Sequence, residues 1–195
     1  MQTLREVLHQ AGKRGDAIGH FNVSDLVLLK AVFSAAQDVD VPVIVGASEG
    51  ERGFMGVRQI AALVKSLRDE FGFPIFLNAD HTHSRASAEG VAKARFDSIV
   101  FDLSALPLEQ NVRQTREAVA ALKSIHPSML VEGEIGDLAV APKFMTRCLT
   151  HPKGSPLRRR LGSLSKKLAS TFSPQPLVAC TACPGTWCGE NRSST

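Results

Sequence analysis

An aspartate and two histidines directly follow an apolar run in the middle of the chain. Residues 74–80 read Pro-Ile-Phe-Leu-Asn-Ala-Asp, and His81 and His83 come next. An unpaired charge is costly to bury, so a carboxylate followed by imidazoles favours chemistry over packing at this point. Catalytic groups of a parallel α/β barrel lie at the C-terminal ends of its strands. An isolated Asp-His pair would more simply be a solvated loop, but similar residues end other predicted strands.

Three of these strand-end residues form a plausible set of metal ligands. His81, Asp102 and Glu134 together offer one imidazole and two carboxylates, which suits zinc or another divalent cation. Asp80 is the immediate neighbour of one ligand, where the field of a metal would shape its pKa. We therefore expect Asp80 to act as a general acid or base.

The elements that must position these residues alternate regularly between strand and helix patterns. Strands are predicted at residues 17–23, 41–48, 74–80, 98–103 and 129–136, with helical periodicity between them. Asp25 and Pro107 stand where two of the helices should begin. A repeat of about 30 residues is typical of parallel βαβ units.

Either a (β/α)₈ barrel or a doubly wound sheet would fit this alternation. No Gly-x-Gly-x-x-Gly follows the first strand, so a dinucleotide site has little support. A ring of polar residues near the strand ends instead favours the barrel: Asn22, Ser48, Asp80, His81, Asp102 and Glu134. We predict an α/β fold, a TIM barrel that is incomplete here, with about five βα units and an irregular C-terminal tail.

Overall composition is that of an ordinary globular protein, with 44% hydrophobic and 22% charged residues. No apolar run is long enough to span a bilayer, and the N-terminus lacks the pattern of a signal peptide. We therefore expect a cytoplasmic protein without a membrane partner.

Charge divides the chain at about residue 138. Up to Asp137 there are 14 basic and 18 acidic residues, whereas the remainder has nine basic residues and one acidic residue. All four cysteines and the single tryptophan also lie in this second part. We therefore predict two regions, a partial barrel over residues 1–137 and a basic, Cys-containing tail over residues 138–195.

Two segments of the first region resemble the signatures of a known family. Residues 78–83, Asn-Ala-Asp-His-Thr-His, resemble the His-x-Asp-His segment of the class II, zinc-dependent fructose-bisphosphate aldolases, with Asn78 in place of the first histidine. Residues 131–136, Val-Glu-Gly-Glu-Ile-Gly, resemble their Glu-x-Glu signature. The resemblance extends over roughly residues 1–137.

This resemblance implies a (β/α)₈ barrel that reversibly cleaves a ketose 1,6-bisphosphate, most simply fructose bisphosphate, to dihydroxyacetone phosphate and an aldehyde. Zinc would polarise the ketone. By position, Asp80 would be the proton donor to the aldehyde oxygen and His81 a zinc ligand. Asp102 and Glu134 would hold a second or alternative metal position, and Ser48 would contact the aldehyde substrate. The intact fold is expected to be a homodimer or larger.

The tail lacks what the family would supply next, namely two further zinc histidines and glycine-rich phosphate loops. Codons compatible with residues 178–185, read one base earlier, spell Gly-Ser-Met-His-Gly-Met-Pro-Gly, which contains the family's Gly-x-x-His-Gly zinc motif. We interpret the tail as out of frame after a base lost near codon 138, and expect it to be disordered and the chain inactive. Two alternatives stay open: a non-catalytic basic binding protein whose tail contacts nucleic acid or acidic surfaces, and a tagatose-bisphosphate aldolase. The tail has few aromatic residues, so we expect no nucleic-acid partner.

Overall fold

The computed structural model describes residues 2–136, in which helices and strands alternate along the chain. The helices are α1 (Leu4–Arg14), α2 (Leu26–Asp38), α3 (Glu49–Met55), α4 (Val57–Phe71), α5 (Arg85–Lys93) and α6 (Leu108–Ile125). The strands are β1 (Gly19–Asn22), β2 (Val43–Ala47), β3 (Ile75–Thr82), β4 (Ser98–Asp102) and β5 (Leu130–Glu134). None of the helices in this range has the length and apolar character needed to cross a membrane.

The five strands form one parallel sheet in the order β1-β2-β3-β4-β5. Each strand pairs with its neighbour in sequence, so this part of the sheet has no switch point of the kind that defines a doubly wound fold. The order is that of a barrel, and over residues 2–136 the arc is open because β1 and β5 do not pair with each other. The predicted α/β fold is confirmed, and residues 2–136 contain four complete βα units followed by a fifth strand, β5. Residues 138–195 lie outside the described residues. The interpretation that they are out of frame therefore stays a prediction.

Helix starts follow from the local sequence. Asp25 caps α2 through a bond from the Leu28 amide to its carboxylate, and α6 begins directly after Pro107, both as predicted. Helices α1 and α3 were not predicted, although each opens on a Ser/Thr-x-x-Glu capping box that is readable in the sequence.

Side chains alternate between the two faces of the sheet, and an apolar region lies on each face. Outward-facing side chains of the strands pack against α2 and α4–α6 in the larger core, which includes Leu29, Ile60, Val45, Leu77 and Ile99. On the opposite face, Phe76 packs with Leu4 and Val7 of α1, and Ile18, Ile44 and Leu130 adjoin them. Helix α1 therefore covers the N-terminal end of the inner face of the arc, which leaves the C-terminal end for polar residues.

Two phenylalanines test the importance of this inner core. Phe76 is 1% exposed, whereas Phe54 on α3 is 84% exposed. We predict that Phe76→Ala lowers the free energy of unfolding by about 3–5 kcal/mol, through lost burial and a residual cavity. The matched Phe54→Ala should stay within about 0.5 kcal/mol of the parent. Urea denaturation of both full-length variants measures the difference, and equal losses would contradict the role given to α1.

Candidate metal centre

Inner-face residues of the sheet change from apolar to polar along the strands. Ile44 and Phe76 are paired across β2 and β3, and Leu130 on β5 packs in the same apolar cluster next to α1. Two residues further along their strands come Gly46, Asn78 and Glu132, and then the strand ends. The candidate site is thus built on the apolar floor that α1 covers.

Strand β3 contains one extra residue at the site. Its register with β4 advances from the Ala79–Ile99 pair to the Thr82–Phe101 pair, so three steps on β3 match two on β4. His81 lies in this bulge with a φ of 39°, a region that a non-glycine residue seldom occupies. In a regular strand Asp80 and His81 would face opposite sides. The bulge lets both side chains reach the inner face.

The structure brings the three predicted metal ligands together. His81 Nδ1 lies 2.9 Å from Asp102 Oδ2 and 3.1 Å from Glu134 Oε2. One ligand atom from each of the three residues lies within 4.8 Å of the others. They come from the C-terminal ends of β3, β4 and β5, which are adjacent in the sheet. Strand pairing brings Asp102 and Glu134 together, and the bulge in β3 adds His81.

Charges within this group shift one another's protonation. Partial burial lowers the pKa of His81, but the hydrogen bond to Asp102 and the nearby carboxylates outweigh it and raise the pKa above its usual value. Burial raises the pKa of Asp102, but hydrogen bonds from Ser104 and His81 outweigh it, so the net shift is downward. Burial and the charge of Asp102 raise the pKa of Glu134. The group therefore favours a positive charge at its centre.

Asp80 adjoins this group without being part of it. Its Oδ1 lies 3.9 Å from His81 Nε2, and its Oδ2 accepts a 2.8 Å hydrogen bond from the side-chain amide of Asn22 on β1. Gly46 makes room for this bond, because a Cβ there would lie 2.2 Å from Asn22 Oδ1. Asn22 thus fixes one carboxylate oxygen of Asp80 and leaves the other facing His81.

Ser48 has a structural partner of its own. It follows β2 as the N-cap of α3, where its hydroxyl accepts a 3.3 Å bond from the Glu51 amide. Glu51 Oε2 in turn accepts a 2.6 Å bond from the Ser48 amide. A substrate contact by Ser48 stays a prediction from the family resemblance.

Glu132 is a site residue that the sequence analysis did not select. Two residues before Glu134 on β5, it lies on the same inner face, and burial together with the charges of Glu134 and Asp80 raises its pKa to about 7. The Glu-x-Glu spacing was the available signal, because a strand places residues two apart on one side.

A second missed residue supports the strand ends from outside. Asn111 on α6 is 4% exposed, and its side-chain amide donates 2.8 Å bonds to the carbonyl oxygens of Leu103 and Glu134. The side-chain oxygen of Asn111 accepts a 3.0 Å hydrogen bond from the Thr115 hydroxyl. These contacts link the ends of β4 and β5, on which Asp102 and Glu134 depend.

The residues present fit a divalent cation. One imidazole and two carboxylates converge at 2.9–3.1 Å, and the surrounding negative charge raises the pKa of His81. This is a mixed nitrogen and oxygen donor set, compatible with zinc and with harder divalent metals.

Comparisons with known proteins agree with this fold and point to one family. The profile of the family described as "Fructose-bisphosphate aldolase class-II" matches residues 2–154. A probable fructose-bisphosphate aldolase of Bacillus subtilis is 35% identical over 137 residues, which are 69% of this chain and 47% of that protein. A 6-phospho-5-dehydro-2-deoxy-D-gluconate aldolase of Shouchella clausii is 35% identical over 133 residues, which are 67% of this chain and 45% of that protein.

Among solved structures, the YdjI aldolase from Escherichia coli K12 matches with a TM-score of 0.63 and 27% identity, over 69% of this chain and 52% of that one. The open parallel α/β arc is thus an incomplete barrel, with a His/Asp/Glu group at its strand ends that could hold a metal ion. The chain is a member of the class II fructose-bisphosphate aldolase family. It spans about half the length of the curated relatives that it matches.

The N-cap bond of the Ser48 hydroxyl leads to a prediction about stability. Ser84 caps α5 by a similar bond, 3.2 Å from the Ser87 amide to its hydroxyl. We predict that Ser48→Ala and Ser84→Ala each lower the free energy of unfolding by about 1 kcal/mol, because each removes an N-cap acceptor. Urea denaturation measures both. An unchanged stability of Ser48→Ala would show that its hydroxyl is not engaged in capping.

Proposed function

We propose that residues 2–136 supply the proton donor and part of the metal site of a class II aldolase. The reaction is the reversible cleavage of a ketose 1,6-bisphosphate, with fructose bisphosphate as the first candidate, to dihydroxyacetone phosphate and an aldehyde. The observation that carries the proposal is the position of Asp80 beside the converging His81, Asp102 and Glu134. Family membership supplies the reaction class.

Zinc is the metal that we propose for this group, held by His81, Asp102 and Glu134. When bound, such a cation polarises the substrate carbonyl and stabilises developing negative charge. The two further histidines that the family resemblance implies lie beyond Glu134, outside the described residues. Homo-oligomer formation and a cytoplasmic location stay predictions.

Asp80 is proposed to move the proton. In the condensation direction its carboxyl donates a proton to the aldehyde oxygen as the new carbon–carbon bond forms. In cleavage the same carboxylate takes the hydroxyl proton as that bond breaks, and the bonding electron pair moves toward the carbonyl of the departing ketone. Asn22 holds Oδ2 at 2.8 Å, so Oδ1 is the oxygen available for this transfer.

A second substrate has a specific observation in its favour. The Shouchella clausii relative, named for 6-phospho-5-dehydro-2-deoxy-D-gluconate, is as similar in identity, 35%, as the Bacillus subtilis relative. Sequence identity therefore does not separate the two substrates, and the tagatose-bisphosphate alternative is equally open. Parallel assays with each sugar phosphate would rank them.

The metal group can be tested in the 195-residue chain with a matched pair of variants. Asp102 is the last residue of β4, and Asp97 directly precedes the first. Asp97 forms an ion pair with Arg68 at 2.6 Å, whereas Asp102 contacts His81. We predict that Asp102→Asn weakens Zn²⁺ binding by more than about 10-fold, since even supporting residues of metal sites have effects of this size. Asp97→Asn should bind Zn²⁺ like the parent, as measured by isothermal titration calorimetry. Equal affinities for all three proteins would contradict the proposed centre.

The role of Asp80 requires an active protein, which we expect once the frame near codon 138 is restored. In that protein, Asp80→Ala should retain Zn²⁺ but lower kcat for bisphosphate cleavage by about 10²–10⁴-fold, the usual contribution of a general acid or base. Asp16→Ala is the matched control, because Asp16 lies at the surface in a pair with Arg14. Undiminished cleavage without Asp80 would contradict its assignment.

A further inference from the structure

Arg52 is a buried cation next to the candidate metal centre. It lies on the short helix α3 and is only 2% exposed. None of the salt bridges within residues 2–136 includes it. Glu49, Asp80 and Glu51 act on its charge from a distance, but burial of a cation without direct contact to a carboxylate is costly. Its hydrogen bonds must therefore also compensate.

Within residues 2–136, the side-chain hydrogen bonds of Arg52 all go to the ends of two neighbouring strands. The guanidinium donates to the carbonyl oxygen of Ala47 at the end of β2. It also donates to the carbonyl oxygen of Asp80 at 3.0 Å and to the hydroxyl of Thr82 at 2.9 Å. Thr82 is fully buried. These three side-chain bonds therefore join β2 to β3.

The two acceptors on β3 stand on either side of His81. That residue has the positive φ of 39° and lies in the segment where the register with β4 shifts. A non-glycine residue keeps such a conformation only where surrounding contacts determine it. Arg52 supplies two of those contacts, because it fixes the residue before His81 and the residue after it.

We propose that Arg52 is a positioning residue for the candidate metal centre, which holds the β3 bulge so that His81 faces Asp102 and Glu134. Its relevance to catalysis rests on the proposed function, whereas its effect on the bulge does not. An arginine suits this task because its planar fork carries five donors. A lysine has one ammonium group and cannot reproduce the fork, and a methionine fills similar space without donors.

Arg68 offers a matched control within the same strand. It reaches β3 from α4 and donates 2.8 Å to the Ile75 carbonyl and 2.6 Å to Asp97. It is thus a second arginine that binds the backbone of β3, but at the strand's opposite end. Loss of Arg68 should lower stability without disturbing the bulge.

The test uses the full 195-residue chain and Co²⁺ alone as the probe, followed by its visible absorption. Arg52→Met should weaken Co²⁺ binding by about 10–100-fold, as for other residues that orient metal ligands. The Co²⁺ affinity of Arg52→Lys should lie between those of Arg52→Met and the parent. Arg68→Met should lower the urea midpoint but keep the parent's affinity. All affinities are measured where each variant is folded. Should Arg52→Met not fold, Thr82→Val and Thr82→Ser replace it, with weaker binding expected for the valine and recovery for the serine.

Hydrogen exchange without metal gives a second readout. Amides of residues 80–83 should exchange faster in Arg52→Met than in the parent and in Arg68→Met. Parental affinity and exchange in Arg52→Met, or an equal loss of affinity in Arg68→Met, would overturn the proposal. If the parent itself binds no Co²⁺, the proposed metal centre fails. The role of Arg52 is then decided by exchange at residues 80–83, where no acceleration overturns it.

Discussion

The extra residue in β3 is the constraint on which the candidate centre depends. Parallel pairing alone brings Asp102 and Glu134 to the same edge, because they end adjacent strands in register. Pairing alone could not place both Asp80 and His81 on the inner face, since neighbours in a strand point to opposite sides. The bulge resolves this at the expense of an unfavourable φ at His81. Contacts around that residue must therefore compensate for the local strain.

Electrostatics then determine what the site can hold. Several carboxylates share the C-terminal end of the arc, including the partly buried Glu132, whose pKa rises to about 7. Like charges at this separation repel one another, and burial adds the cost of desolvation. A protonated His81 relieves part of this repulsion, and a divalent cation would relieve more. The same concentration of negative charge that disfavours an empty site thus favours metal binding.

Much of the fold and part of the site could be predicted from the sequence. Periodicity gave the five strands, and strand-end polarity selected His81, Asp102 and Glu134, which the structure brings together. Arg52 and Asn111 could not be found in this way. Both side chains bind backbone carbonyl oxygens of residues far away in the sequence, Asp80 for Arg52 and Glu134 for Asn111. Every residue has a backbone carbonyl group, so the residue types do not reveal such a contact. The bulge was also invisible, because register is a property of paired strands.

Arg52 and Asn111 solve one physical problem at two places. Where a parallel strand ends, its last carbonyl oxygens lose their partners in the ladder, yet here they lie beside buried groups that exclude water. A buried side chain from an outer helix supplies the missing donors at β2–β3 and again at β4–β5. The Arg52 link fixes the end of β3 relative to β2, and the Asn111 link fixes the ends of β4 and β5 relative to each other. Pairing between β3 and β4 connects these two links, so all three ligand residues have fixed relative positions. The geometry of His81, Asp102 and Glu134 is consequently a property of this arc, whereas the remaining substrate contacts expected from the family are not.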